Sequence, residues 1–185
     1  MSESQSIPPT VYVALIGGLG GNQFYQAPSL ADRLKEIPGV MLDRFNDPLY
    51  MVGGRNNIGR KITYCKEIWP EIQRFILIPH SMGWGDAVDA CHQGCVDYLI
   101  AIDPVGVWKD RDFWPRKDGA RQPGCFIKST KEPRDPLIAQ LYVEDGPEID
   151  GYNLGHNELT HDDGIQREIV ERVRGFLPPL PVVTS

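Results

Sequence analysis

Four bulky apolar residues in succession, Phe75-Ile76-Leu77-Ile78, constrain this chain more than any other feature of its sequence. A strand without alternation is covered on both faces, and such a sheet is built by helical crossovers rather than by hairpins. The neighbouring segments agree. Val11 to Ile16 and Val40 to Phe45 read as earlier strands, Tyr98 to Ile102 as a later one, and Cys125 to Lys128 as a shorter one. Helical periodicity fills the gaps. Leu30, Leu34 and Ile37 recur at i, i+4 and i+7 before Pro38-Gly39, and Ile58, Ile62, Cys65 and Ile68 or Trp69 precede Pro70. Trp84, Ala87, Val88, Cys91 and Cys95 mark a third helix, and Ile165, Ile169, Val173 and Phe176 or Leu177 a last one. The alternation predicts an α/β fold: a single compact domain with a mostly parallel central sheet flanked by helices. At 185 residues the chain suits one core, with expected boundaries at a 1–9 tail, a 10–178 domain and a 179–185 tail.

Charge and composition exclude several partners. The formal net charge is −6 and no Lys/Arg tract occurs, so nothing electrostatic calls for nucleic acid or an anionic membrane. No apolar run spans a bilayer and no basic region leads into an apolar leader, so integral membrane association is not expected and the expected location is cytoplasmic. Cys65, Cys91, Cys95 and Cys125 form neither paired CxxC motifs nor a disulfide framework and read as buried free thiols. Cys91, His92 and Cys95 do not converge from successive helical positions, and spacing secures no fourth ligand, so no metal is expected. Gly17-Gly18-Leu19-Gly20-Gly21 lacks the Gly-Lys-Ser/Thr of a phosphate loop and a full G-x-G-x-x-G context, so no cofactor is expected either.

Three stretches carry chemical content. His80-Ser81-Met82-Gly83 follows the central strand and leads into a helix. A serine there is presented above the sheet by a sharp turn, and the helix start aims backbone donors at developing negative charge. Pro79 stands where the G-x-S-x-G elbow has glycine, and the bland alternative is a serine that caps the helix. The glycine cluster after the first strand is either a tight connection or a loop of close backbone approach. Gly155-His156-x-x-Leu159 precedes the last helix.

In that order, the glycine loop, His80-Ser81-Met82-Gly83 and Gly155-His156-x-x-Leu159 resemble the α/β-hydrolase family, and look most like its small, nearly lid-free bacterial lipases and esterases. The resemblance implies a serine hydrolase that cleaves a small carboxylic ester or thioester through an acyl-enzyme. Ser81 is the implied nucleophile, His156 the base, and the backbone N–H groups of Leu19 and Met82 the oxyanion donors. His156 is preferred to His161 because Leu159, three positions on, can pack and hold its loop, while Thr160 or Asp162 caps the following helix. Asp103 directly follows the Tyr98–Ile102 strand and is preferred as the acid. Asp135 is its rival, at the more usual family spacing. Other readings are hydrolysis of an amide, or a non-catalytic binding protein disabled by Pro79.

The remaining candidates are supporting ones. His80 either braces the turn or edges the pocket. Phe24, Tyr25, Trp84, Trp108 and Trp114 supply either an acyl pocket or ordinary core. The stretch from Val107 to Gln122 reads as a surface loop, a substrate wall or a packed excursion.

Overall fold

The computed structural model of the chain describes residues 7–18, 29–45, 58–106, 114–117, 120–132, 142–143, 146 and 149–179. In chain order the elements begin with β1 (Val11–Ile16), α1 (Leu30–Lys35), β2 (Val40–Phe45), α2 (Ile58–Ile68), β3 (Arg74–Pro79) and α3 (Trp84–His92). They continue with β4 (Tyr98–Ile102), β5 (Arg116–Lys117), β6 (Ala120–Arg121), β7 (Gly124–Ser129), β8 (Ile149–Tyr152) and α4 (Asp163–Arg174). Six strands form one parallel sheet in the order β2-β1-β3-β4-β7-β8, and β5 and β6 pair separately as a short antiparallel hairpin. The expected fold class is therefore the observed one.

The unbroken apolar runs follow from two buried faces. Val11, Val13 and Leu15 of β1 join Ile76 and Ile78 of β3 and Ile100 and Ile102 of β4 under α1 and α4. The intervening residues Tyr12, Ala14, Ile16, Phe75, Leu77, Leu99 and Ala101 pack against α2 and α3 on the opposite face. Because successive strand side chains point to opposite faces, each face demands its own apolar set and alternation disappears. Local signals set the helix ends. Ser29 and Asp32 close a capping box on α1, and the Asp162 side chain accepts from Ile165 N at 2.9 Å to start α4.

The structure departs from the sequence pattern in four places. Ile68 is half exposed at the end of α2, so the buried face of that helix is Ile58, Ile62 and Cys65. Cys95 lies beyond the end of α3, with its Sγ 3.4 Å from Gln93 O, and is partly buried where Cys65, Cys91 and Cys125 are buried. Phe176 and Leu177 follow α4 rather than extending it, yet both pack on the α1/α4 side of the core. Strand β8 and the β5–β6 hairpin were not expected at all. In the Val107–Gln122 stretch, the ends of the described part are packed and the β5–β6 hairpin between them is exposed: Trp114 lies tilted against Trp84 with ring centroids 5.4 Å apart, and its Nε1 donates to Gln122 O at 2.7 Å. No described helix is long and apolar enough to cross a membrane.

Candidate active site

The strand order reverses beside β1, whose neighbours are β2 on one side and β3 on the other. A crevice opens at the carboxyl ends of strands where such a reversal occurs. The segment after β1 and the segment after β3 meet there. An ideal Cβ on Gly18 would stand 2.5 Å from Ser81 Cβ and 3.0 Å from Ser81 Oγ, so only glycine fits against the serine. A Cβ on Gly83 would stand 2.5 Å from Ile16 O and 2.7 Å from Gly17 O, which fixes the elbow from its other side. Pro79 is accommodated as the last residue of β3. It is paired in register with Ile16, and the ladder resumes at His80, whose N–H donates to Ile16 O at 2.9 Å.

Register brings the next residues together. His80 forms a parallel bridge with Ile102, so Ser81 and Asp103 leave adjacent strands at the same height, about 5 Å apart in the pairing direction. Both turn sharply on leaving. Among the described residues, Ser81 (φ 54°) and Asp103 (φ 40°) are the two non-glycine residues with positive φ. Such backbone strain concentrates where the surrounding structure dictates a side chain's direction. Here Val105 N donates to Ser81 O at 3.0 Å, tying the segment after Asp103 to the serine turn.

Asp103 is buried and multiply held. Its Oδ1 accepts from Ser129 N at 3.1 Å, and its Oδ2 lies 2.6 Å from His156 Nδ1. The Ser129 hydroxyl donates to Leu154 O at 2.6 Å, so one residue at the end of β7 braces both the aspartate and the approach to the His156 loop. That loop is also braced from within. Leu159 N donates to Gly155 O at 3.2 Å, Gly155 N donates to Glu158 Oε2 at 2.6 Å, and Leu159 is fully buried. Hydrogen bonds from Lys131 and from Gly155 hold the Glu158 carboxyl below the usual carboxylate range. The His156 ring lies against two others: His80 at 4.6 Å between centroids and Tyr142, edge-on, at 5.6 Å.

The sequence-derived candidates divide accordingly. His156 and Asp103 are in contact, Ser81 leaves the neighbouring strand level with Asp103, and Met82 follows Ser81 in a single 3-10 turn, Ser81–Gly83, that runs into α3. His161 sits at the end of a second turn, with its N–H donated to Glu158 O at 3.0 Å, and Asp162 rather than Thr160 caps α4. Trp84 and Trp114 are core residues. Leu19, Phe24, Tyr25, Trp108 and Asp135 lie outside the described residues. Cys91 is buried while His92 next to it is exposed, and no group of three or more metal-ligating side chains gathers among the described residues. Ser129 and Tyr142 were not singled out from the sequence. For Ser129 the available signal was a polar residue just past the predicted Cys125–Lys128 strand.

No protein-family model matches the sequence, and no curated protein matches it. Similarity emerges in three dimensions. XC6422 from Xanthomonas campestris, described as an α/β serine hydrolase without lid, superposes with a TM-score of 0.59 at 18% identity, over 98% of this chain and 88% of its own. A predicted CIB-like hydrolase from Thermoplasma acidophilum gives 0.58 at 17% identity, over 95% of this chain and 90% of its own. The RedJ thioesterase of the prodiginine pathway in Streptomyces coelicolor gives 0.52 at 11% identity, with 91% of each chain covered. The chain has an α/β-hydrolase fold.

Proposed function

We propose that this protein is a serine hydrolase that cleaves a small carboxylic ester or thioester through an acyl-enzyme intermediate. One observation carries the reading: Asp103 Oδ2 lies 2.6 Å from His156 Nδ1 at the sheet edge where Ser81 leaves β3. A carboxylate at Nδ1 holds the proton on that nitrogen and leaves Nε2 as a base. Ser81 Oγ then attacks the acyl carbon while its proton passes to His156 Nε2. The tetrahedral oxyanion is taken by the backbone N–H groups of Met82 and Leu19. On collapse, the bond to the leaving group breaks, and the alkoxide or thiolate takes the proton from His156. Water attacks the acyl-enzyme with His156 again as base, and the carboxylic acid departs as Ser81 regains its proton.

The buried carboxylate compensates the imidazolium that forms in each half-reaction, and it needs no protonation of its own. A serine that merely capped α3 would accept from the helix N-terminus, yet Gly83 is the capping residue of that helix. The ester and thioester scope is consistent with fold relatives that include a serine hydrolase and a thioesterase.

The test combines turnover with covalent capture. Purified protein is expected to hydrolyse p-nitrophenyl acetate or butyrate, or an acyl thioester. A fluorophosphonate probe is expected to label Ser81, and Ser81→Ala or His156→Gln to abolish both while the protein stays folded. Unchanged hydrolysis in Ser81→Ala rejects the mechanism, and reversible ligand binding with no labelling of the wild type would make the chain a binding protein.

A further inference from the structure

We propose that His80 is a positioning residue that holds the His156 imidazole in its working orientation, by a ring contact and by a hydrogen bond to the main chain of the same residue. The inference rests on His156 being the base and adds a residue to which that chemistry assigns no role. His80 is fully buried, and its ring lies 4.6 Å from the His156 ring at an interplanar angle of 34°. Its Nε2 lies 3.1 Å from His156 O. A carbonyl oxygen only accepts, so Nε2 carries the proton and the tautomer is fixed by the bond. Two contacts from one side chain therefore fix both the backbone and the ring plane of a residue 76 positions away.

The chemistry of the contact fits a base that cycles between charge states. Burial, followed by the repulsion His156 exerts whenever its ring is protonated, pushes the His80 pKa down to about 3, with His161 acting in the same direction and the hydrogen bond to His156 opposing. Asp103 is the carboxylate at Nδ1 of His156. His80 therefore stays neutral while His156 becomes imidazolium between Asp103 and Ser81. A neutral ring tolerates that cation at stacking distance, whereas a second cation there would oppose it. His80 also immediately precedes the nucleophile, with its N–H on Ile16 O and its own carbonyl accepting from Gly83 N at 3.0 Å. Serine turn and histidine loop are thus registered through one residue rather than through two independent loops.

Two variants separate the clamp from general packing. His80→Phe keeps a planar ring but removes the donor, leaving the His156 carbonyl without it. His80→Gln keeps an N–H donor at about the same reach. His80→Phe is expected to lower kcat for p-nitrophenyl butyrate by about 10-fold to 100-fold, with KM within about twofold, the loss that follows a displacement near 1 Å. His80→Gln is expected to recover kcat to within about fivefold of wild type. The low-field proton resonance of His156 Nδ1–H, assigned by its loss in His156→Gln, should broaden in His80→Phe and persist in His80→Gln. Should His80→Phe fail to fold, His80→Leu replaces it as the donor-less variant. A folded donor-less variant with wild-type kcat and an unchanged resonance overturns the proposal, as does equal impairment of the donor-less and glutamine variants. If the wild type neither turns over esters nor takes the phosphonate, the hydrolase reading fails on its own, and the resonance still decides whether His80 holds His156.

Discussion

Gly18→Ala tests how tightly the first loop is built against Ser81, the proposed nucleophile. Gly18 has a backbone conformation open to other residues, since its φ lies outside the positive range in which glycine is favoured, so the substitution acts through space rather than through backbone strain. The new methyl would lie 2.5 Å from Ser81 Cβ, 3.0 Å from Oγ and 3.2 Å from His80 O. Carbon atoms in contact settle at about 3.5–4.0 Å, so the overlap is about 1 Å and falls on atoms anchored to the main chain. Ser81 cannot yield freely. Its carbonyl accepts from Val105 N at 3.0 Å, the preceding His80 N–H is tied to Ile16 O at 2.9 Å, and the far side of the turn is Gly83, already against Ile16 and Gly17.

The loop and the serine must therefore separate by most of that overlap. Overpacking of this kind costs about 1–3 kcal/mol, offset by about 0.4–1 kcal/mol from the smaller entropy of an unfolded alanine. The net expectation is a folded protein destabilised by about 1–2 kcal/mol. The catalytic loss is larger in proportion, about 10²-fold in kcat, because a displacement near 1 Å misaligns the attacking oxygen and the donors meant for the oxyanion. Steady-state hydrolysis of p-nitrophenyl butyrate, phosphonate inactivation rates and urea unfolding measure the three effects. A folded Gly18→Ala variant with kcat within threefold of wild type would show that the loop after β1 does not shape the nucleophile's surroundings.

Two further outcomes follow from the same geometry. Asp103→Asn keeps an oxygen for Ser129 N but turns an amide donor toward His156 Nδ1, so the proton moves to Nε2 and the base is lost; kcat is expected to fall by about 10³-fold to 10⁴-fold in a folded protein, while Asp135→Asn keeps activity, and the reverse pattern would transfer the acid to Asp135. His80 titrates near 6.5 in the unfolded chain and near 3 in the folded one, so between those values the unfolded chain binds the extra proton and stability falls as pH is lowered, by up to about 1.4 kcal/mol per unit. Urea unfolding at pH 6.5 and pH 5 should show wild type losing about 1.5 kcal/mol more than His80→Gln, and equal losses would mean that His80 is not held neutral.

Much of this architecture was legible because buried parallel strands leave an unmistakable mark. Val11–Ile16 and Tyr98–Ile102 have the bounds that their apolar runs imply, and the half-buried edge strand Val40–Phe45 has its expected bounds although Asp43 and Arg44 interrupt its run. Elements without a run were not legible. β8 is Ile149-Asp150-Gly151-Tyr152 at the edge of the sheet, and its pairing with Phe126 to Ser129 is a main-chain affair that hydropathy does not record. The β5–β6 hairpin, Arg-Lys against Ala-Arg, has no apolar signature either. At the site, motif order pointed to Ser81 and His156, and strand exit pointed to Asp103. The partners of His80 and Ser129 had no local signal, because each contact joins segments far apart in sequence.

Strand exit and family spacing point to different acids, Asp103 and Asp135. A strand exit announces that a side chain reaches the carboxyl edge of the sheet, but not which neighbouring exits it meets. That depends on register, and register is a property of pairs of strands. Here His80 is level with Ile102, and Ile102 with Ile127, so the exits of β3, β4 and β7 stand in a row. The strand from whose loop an acid would more often be drawn, β7, contributes something else at that edge: the Ser129 amide on Asp103 Oδ1 and the Ser129 hydroxyl on Leu154 O. A carboxylate held by a backbone donor on one oxygen keeps its other oxygen aimed, and that second oxygen is the one at His156 Nδ1. The proposed triad therefore follows β3, β4 and β8, and Ser129 at the end of β7, between the last two, supplies the donor that orients Asp103 toward His156.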